Sequence, residues 1–120
     1  VEVKMKRLGT FCVLAGFALA APLFGASPAI ADEEPERTIV IKDHRFDPAV
    51  VEVPAGVRVK LVIDNRDPTA EEFESLDLRR EKVVSGNSKA TVWVGPLPAG
   101  EYAFVGEFHE DTAQGKLIAK

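Results

Sequence analysis

The sequence predicts an all-β fold, a Greek-key sandwich of about seven short strands preceded by an N-terminal signal-peptide helix. Three observations predict it. Several short runs alternate β-branched or aromatic residues with polar ones at period two. Clusters of Pro, Gly, Asn and Asp separate those runs. No segment sustains a helical period, although Glu71–Leu78 has room for one helical turn.

The N-terminal part reads as an address. Lys4, Lys6 and Arg7 are basic, and the chain from Leu8 to Phe24 carries no charge. Ala29-Ile30-Ala31 then places small residues where a signal peptidase reads, followed by acidic Asp32-Glu33-Glu34. This is the layout of a cleaved secretory signal, with Met5 as the start and cleavage after Ala31. Gly9, Gly16, Pro22 and Gly25 argue against a retained anchor. Cys12 lacks the Leu-small-small context of a lipidated cysteine. The expected organisation is a signal peptide at 1–31, a disordered acidic lead-in at 32–37 and one domain at 38–120. The expected location is the periplasm, with no membrane insertion after cleavage.

Strands follow in order. Thr38–Lys42 and Val50–Val53 are β-branched runs. Val57, Val59, Leu61 and Ile63 alternate with Arg58, Lys60, Val62 and Asp64, which marks a strand with one buried face. Ala90–Val94 and Tyr102–Phe108 alternate likewise, and Leu117-Ile118-Ala119 closes the chain. Phe46, Phe104 and Phe108 are expected in the core. Trp93 and Tyr102 are expected to pack rather than to relay electrons.

Turn placement decides which loops share an end. The Pro54-Ala55-Gly56 turn is expected to join two antiparallel strands, which puts Pro48 opposite Val62 and His44 near Asn65. If Pro98-Ala99-Gly100 lies at the same end, the strand from Tyr102 runs away from it and delivers His109 beside His44. The Glu71–Asp77 loop then joins the same rim.

Composition excludes several function classes. The whole chain has 15 basic and 19 acidic residues, a net charge of −4. Cleavage after Ala31 removes Glu2 and three basic residues, so residues 32–120 carry a net charge of −6. Such an acidic domain repels nucleic acid. It also contains no cysteine, since Cys12 leaves with the signal, so disulfides and thiolate-rich zinc sites are excluded. No serine elbow marks a hydrolase.

The segment from Gly100 to Leu117, Gly-Glu-Tyr-Ala-Phe-Val-Gly-Glu-Phe-His followed by Thr112-Ala113-Gln114-Gly115-Lys116-Leu117, resembles the closing strand and ligand loop of the cupredoxin family. That family reads Gly-x-Tyr-x-Phe-x-Cys-x-x-His, with a Met or Gln a few residues on. Phe46-Asp47-Pro48 through Pro54-Ala55-Gly56 to Ile63-Asp64-Asn65 resembles its second and third strands. Asp43-His44-Arg45-Phe46, Glu71-Glu72-Phe73-Glu74-Ser75 and Arg80-Glu81-Lys82 look like the EfeO-type subgroup. The resemblance implies a cupredoxin-like sandwich and an accessory role in periplasmic ferrous iron uptake. The implied partners are an inner-membrane iron permease and other periplasmic iron-uptake components.

One departure governs the chemistry. A blue type 1 copper centre needs a cysteine thiolate with two imidazoles. Gly106 stands at the cysteine position, and the first-histidine region after Asn65 reads Glu71-Glu72-Phe73. What remains is imidazole and carboxylate, a donor set that suits Cu(II), Zn or iron. The expected metal ligands are His44, Glu72, Glu74, Asp77 and His109, with iron or copper as the ion and no blue centre. Gln114 is the candidate axial donor, and Gly106 is expected to admit a close neighbour. No catalytic residue is expected beyond assistance to ferrous iron oxidation. Two alternatives stand beside the iron role: a copper-binding module for copper handling or oxidase assembly, and a metal-free interaction domain.

Overall fold

A computed structural model describes residues 33–120 and, ahead of them, isolated positions only. The signal-peptide segment and its cleavage point lie outside the described residues. The described domain has nine strands and almost no helix. They are β1 (Glu36–Lys42), β2 (Arg45–Asp47), β3 (Val50–Val53), β4 (Val59–Asn65), β5 (Glu71–Ser75), β6 (Arg80–Val84), β7 (Ser88–Val94), β8 (Gly100–Gly106) and β9 (Gln114–Ala119). One 3-10 turn, Glu107–His109, follows β8.

Two sheets face each other. One has the order β2-β1-β4-β7, the other β3-β9-β8-β5-β6. The all-β sandwich read from the sequence is therefore present, with more strands than expected. Glu71–Ser75 forms β5 rather than a helical turn. Phe73 and Ser75 are buried with Glu71 on the inner face, a period-two pattern that charge on the outer face had obscured. β1 begins at Glu36, two residues before the expected Thr38.

The expected antiparallel pairing around Pro54-Ala55-Gly56 is replaced by a crossing between sheets. β3 pairs parallel with β9, whereas β4 pairs parallel with β1 and antiparallel with β7. The reason is burial. Val51 and Val53 face the core from one sheet while Val59, Leu61 and Ile63 face it from the other. A hairpin would have stacked both sets in a single layer. His44 nevertheless ends near Asn65, because Ile41 is the parallel partner of Asn65. The two Pro-Ala-Gly turns do share an end: the Gly56 N–H donates to the Leu97 carbonyl at 2.9 Å.

The core lies between the sheets. Ile39, Ile41, Leu61 and Ile63 meet Phe73, Phe104 and Leu117, all fully buried or nearly so. Phe104 sits at its centre, edge-on to Phe46 at 5.0 Å and tilted against Phe73 at 5.0 Å. Such pairs add about 0.5–1.5 kcal/mol each beyond burial. Phe108 departs from expectation and is half exposed, because it lies past the end of β8 in the 3-10 turn where strand alternation stops. Tyr102 packs against the core and donates its hydroxyl to the Pro98 carbonyl at 2.8 Å. Trp93 carries the Arg58 guanidinium over its ring at 4.1 Å.

Truncating Phe104 to Ala removes a ring packed against both Phe46 and Phe73 and is expected to cost about 3–5 kcal/mol in urea unfolding. Leu76→Ala, at an 82% exposed position, is expected to change stability by no more than about 0.5 kcal/mol. Equal costs at the two positions would contradict this placement of the core.

Candidate metal centre

The rim opposite the Pro-Ala-Gly turns gathers three loops. The β1–β2 hairpin turns on Asp43 and His44 alone, both left-handed at φ 51° and 54°. A two-residue hairpin loop needs positive φ at both positions. Left-handed backbone is unfavourable for a histidine, so the turn needs external support. Asp67, in the β4–β5 loop, supplies it. Its Oδ1 accepts the Asp43 N–H at 2.8 Å and its Oδ2 accepts the His44 N–H at 2.9 Å. Asp67 is itself buried, and its own N–H donates to Asn65 Oδ1 at 3.1 Å. Burial is the largest influence on its carboxyl and acts upward. The two backbone N–H groups, with the charges of His44 and Lys42, outweigh burial and hold it below the usual range. Thr112 clamps the other side, donating its hydroxyl to the His44 carbonyl at 2.5 Å.

His109 arrives from the far end of β8. The two imidazoles stack with ring centroids 3.5 Å apart and planes 12° from parallel. They border a depression of about 470 Å³ that also has Glu107, Phe108, Glu110 and Asp111 on its walls. Beneath them lies Glu71, 1% exposed. Its Oε2 is 2.5 Å from His109 Nδ1. Its Oε1 accepts the N–H of Glu72 at 3.0 Å and of Phe108 at 2.9 Å. Gly106, opposite Phe73 on β5, makes room for that carboxylate. A Cβ there would lie 2.7 Å from Glu71 Cδ and 2.6 Å from Ala113 Cβ. The expected close approach at Gly106 is thus made by a site side chain.

His44, Glu71 and His109 form one group whose donor atoms all lie within 4.8 Å of one another. Glu72, Glu81 and Glu107 form a second. Consecutive strand residues point to opposite faces, so Glu71 and Glu72 send their carboxylates to different groups. Glu72 is 8% exposed, and no salt bridge reaches these three carboxylates among the described residues. The contact with the Glu81 carboxyl, then burial, then Glu107 push Glu72 up to about 7. Like charges this close favour a shared proton or a cation. Both donor sets fit a metal: imidazole with carboxylate in the first, oxygen alone in the second.

The structure brings two of the expected ligands, His44 and His109, into contact. It places Glu72 with Glu81 and Glu107 instead. Glu74 lies on the outer face of β5 opposite Glu81, outside both groups. Burial and then the charges of Glu107 and Glu81 raise its carboxyl. Asp77 accepts the Ala103 N–H at 2.9 Å, which ties the β5–β6 turn to β8. Gln114, at the position where some family members carry an axial Gln, gives its amide N–H to the Glu110 carbonyl at 2.9 Å. Glu71 is one of the rim carboxylates in the sequence's charge run but not one of the five expected ligands. The signal for it was its register with core residue Phe73, two positions on.

Two outcomes follow. Gly106→Ala is expected to displace Glu71 and to cost about 1–3 kcal/mol, read by urea unfolding. Glu72 binds a proton more tightly folded than unfolded, so its contribution to stability is present below about pH 4.5 and is lost as pH rises through about 7. The melting temperature of metal-free protein should fall over that window, and Glu72→Gln should flatten the slope. An unchanged slope in the variant would contradict the carboxylate cluster.

Comparison with known proteins agrees with this fold. Residues 15–119 match the family described as the cupredoxin-like domain. The uncharacterized protein RP394 of Rickettsia prowazekii is 49% identical over 83 residues, 69% of this chain and 66% of that protein. The chain therefore spans just under two thirds of that relative's length. Among solved structures, the metal-binding domain of the Streptococcus pneumoniae Cu(I)-exporting P-type ATPase CopA, determined with Cu(I), superposes with TM-score 0.63 at 11% identity, covering 71% of this chain and 84% of that one. Auracyanin A, a blue copper protein of Chloroflexus aurantiacus, superposes with TM-score 0.61 at 18% identity, covering 71% of this chain and 98% of that one. At these identities the structural matches speak to fold alone. With a family match across most of its length, and with two facing sheets ending in a histidine-bearing rim, this chain belongs to the cupredoxin-like domain family.

Proposed function

We propose that this protein is a periplasmic metal-binding module that assists ferrous iron uptake beside an inner-membrane iron permease. The observation that carries the metal-binding part is the meeting of His44 and His109, the only histidines in the sequence, over a buried carboxylate. The EfeO-type residues around Asp43-His44-Arg45-Phe46 and Glu71-Glu72-Phe73-Glu74-Ser75 support the iron role.

In this reading His44 and His109 hold a borderline ion such as Cu(II). A bound ion there supplies Lewis acidity or a redox centre. Glu72, Glu81 and Glu107 offer oxygen alone, which favours a harder cation, with iron as the cargo. This chain's own residues do the positioning. Asp67 and Thr112 fix the His44 backbone, and Asn65 braces the loop that carries Asp67, donating its amide to the Thr69 carbonyl at 2.9 Å. Partly exposed imidazoles and an open depression suit a site that must release its ion.

A copper-handling role is the second reading, favoured by the paired imidazoles. Sulfur is missing from the rim, which argues for Cu(II) over Cu(I).

Metal analysis of protein isolated from the periplasm, with titration calorimetry using Fe and Cu salts, tests the proposal. His44→Ala with His109→Ala is expected to abolish copper binding and to leave the carboxylate group's iron binding in place. Glu72→Gln with Glu107→Gln is expected to do the reverse. Deleting the gene should impair growth on limiting ferrous iron and leave copper tolerance unchanged. Unchanged metal content in the double-histidine variant would contradict the rim site, and a copper-only growth defect would favour the second reading.

A further inference from the structure

We propose that Glu71 is a positioning residue for His109 rather than a metal ligand, so that His109 offers its Nε2 nitrogen to a cation. This rests on the reading of the rim as a metal centre and assigns one of its three donor groups a different task.

The carboxylate's own hydrogen bonds hold it away from the rim opening. Oε1 already accepts two backbone N–H groups, from Glu72 at 3.0 Å and Phe108 at 2.9 Å. Oε2 faces His109 Nδ1 at 2.5 Å. Both oxygens are therefore engaged, at a residue that is 1% exposed. The carboxylate is also confined. A Cβ on Gly106 would come within 2.9 Å of Oε1, so the group sits in a recess that only a glycine leaves open. Swinging out to meet an ion would break three contacts and leave the buried Glu72 N–H and the part-buried Phe108 N–H without this acceptor, a costly state.

Tautomer follows from the same contact. An ionised carboxylate only accepts hydrogen bonds. With Oε1 accepting two backbone N–H groups and Oε2 turned to the ring, the carboxylate acts as acceptor, which places the proton of that contact on Nδ1 and leaves the ring's lone pair on Nε2. A carboxylate behind a ligating histidine fixes ring orientation and raises basicity, and losing it commonly weakens metal binding about 10–100-fold. His44 is held differently. Its backbone is fixed by Asp67 and Thr112, and its Nδ1 lies 3.5 Å from Asp67 Oδ2, too far for a comparable bond. The two imidazoles are therefore unequal, with His109 the pre-set donor.

Long-range 1H–15N correlation spectra of the metal-free protein, recorded where imidazole is neutral, test the assignment without any variant. The expected result is an unprotonated nitrogen at Nε2 of His109 and a proton on Nδ1. An unprotonated Nδ1 overturns the proposal. Zn(II), a diamagnetic probe, is then added. The expected change is confined to Nε2, with the Nδ1 proton retained and coupled. Loss of that proton on metallation makes Glu71 or Nδ1 the ligand and overturns the proposal. If Zn(II) leaves His109 unshifted, the metal-centre reading falls, while the metal-free spectrum still decides the role of Glu71. Glu71→Gln, checked for folding by the dispersion of the same spectra, is expected to move the ring proton to Nε2 and to weaken Zn(II) binding about 10–100-fold. Undiminished binding in a folded variant overturns the proposal.

Discussion

Glu71 is a carboxylate at the edge of an apolar core, 1% exposed, and among the described residues the side chain that meets it is the imidazole of His109. A buried polar group of this kind is tolerated when its oxygens are hydrogen-bonded. Here that requirement organises the rim. The Phe108 N–H must turn inward, which sets the start of the 3-10 turn. His109 must then lie over Oε2, and stacking places His44 beside it. Residue 106 must lack a side chain. Gly106 is thus the steric complement of a glutamate on the neighbouring strand.

The wider fold serves to bring that edge together. β1 runs parallel to β4, so the β1–β2 turn and the β4–β5 loop emerge at the same end. β8 runs antiparallel to β5 and delivers the 3-10 turn to the same place. Each loop contributes an anchor or two: His44 from the first, Asp67 from the second, His109 and Thr112 from the third. The parallel pairings span long sequence separations, and the packing of Phe46, Phe73 and Phe104 directly below holds the rim at a fixed spacing. A rigid scaffold carrying function on its loops is the usual division of labour in such sandwiches.

Much of this was legible in the residues. Period-two alternation identified the β-sandwich, and the two Pro-Ala-Gly turns correctly set one end of the molecule. The meeting of the histidines followed from that end, even though the pairing invoked for β3 and β4 was wrong. Alternation reports which face of a strand is buried, but it does not report which sheet the strand joins. β5 was the least legible element, because Glu71-Glu72-Phe73-Glu74 reads as a solvated run with one apolar residue. Only the burial of Phe73 and Ser75 shows that Glu71 shares their face. Asp77 and Gln114 illustrate a second difficulty. Their side chains serve backbone groups in turns, and a turn partner cannot be told from a ligand by residue type alone.

The account stands or falls on whether the histidine rim, rather than the acidic outer face of β5, receives a borderline ion. Crystals of the protein grown with a slight excess of Cu(II), with data collected at the copper absorption edge, address this directly. The account predicts an anomalous-difference peak within bonding distance of ring nitrogens from both His44 and His109, with Glu71 still bound to His109. A peak lying only among Glu72, Glu81 and Glu107, or no ordered peak on the domain, would contradict it.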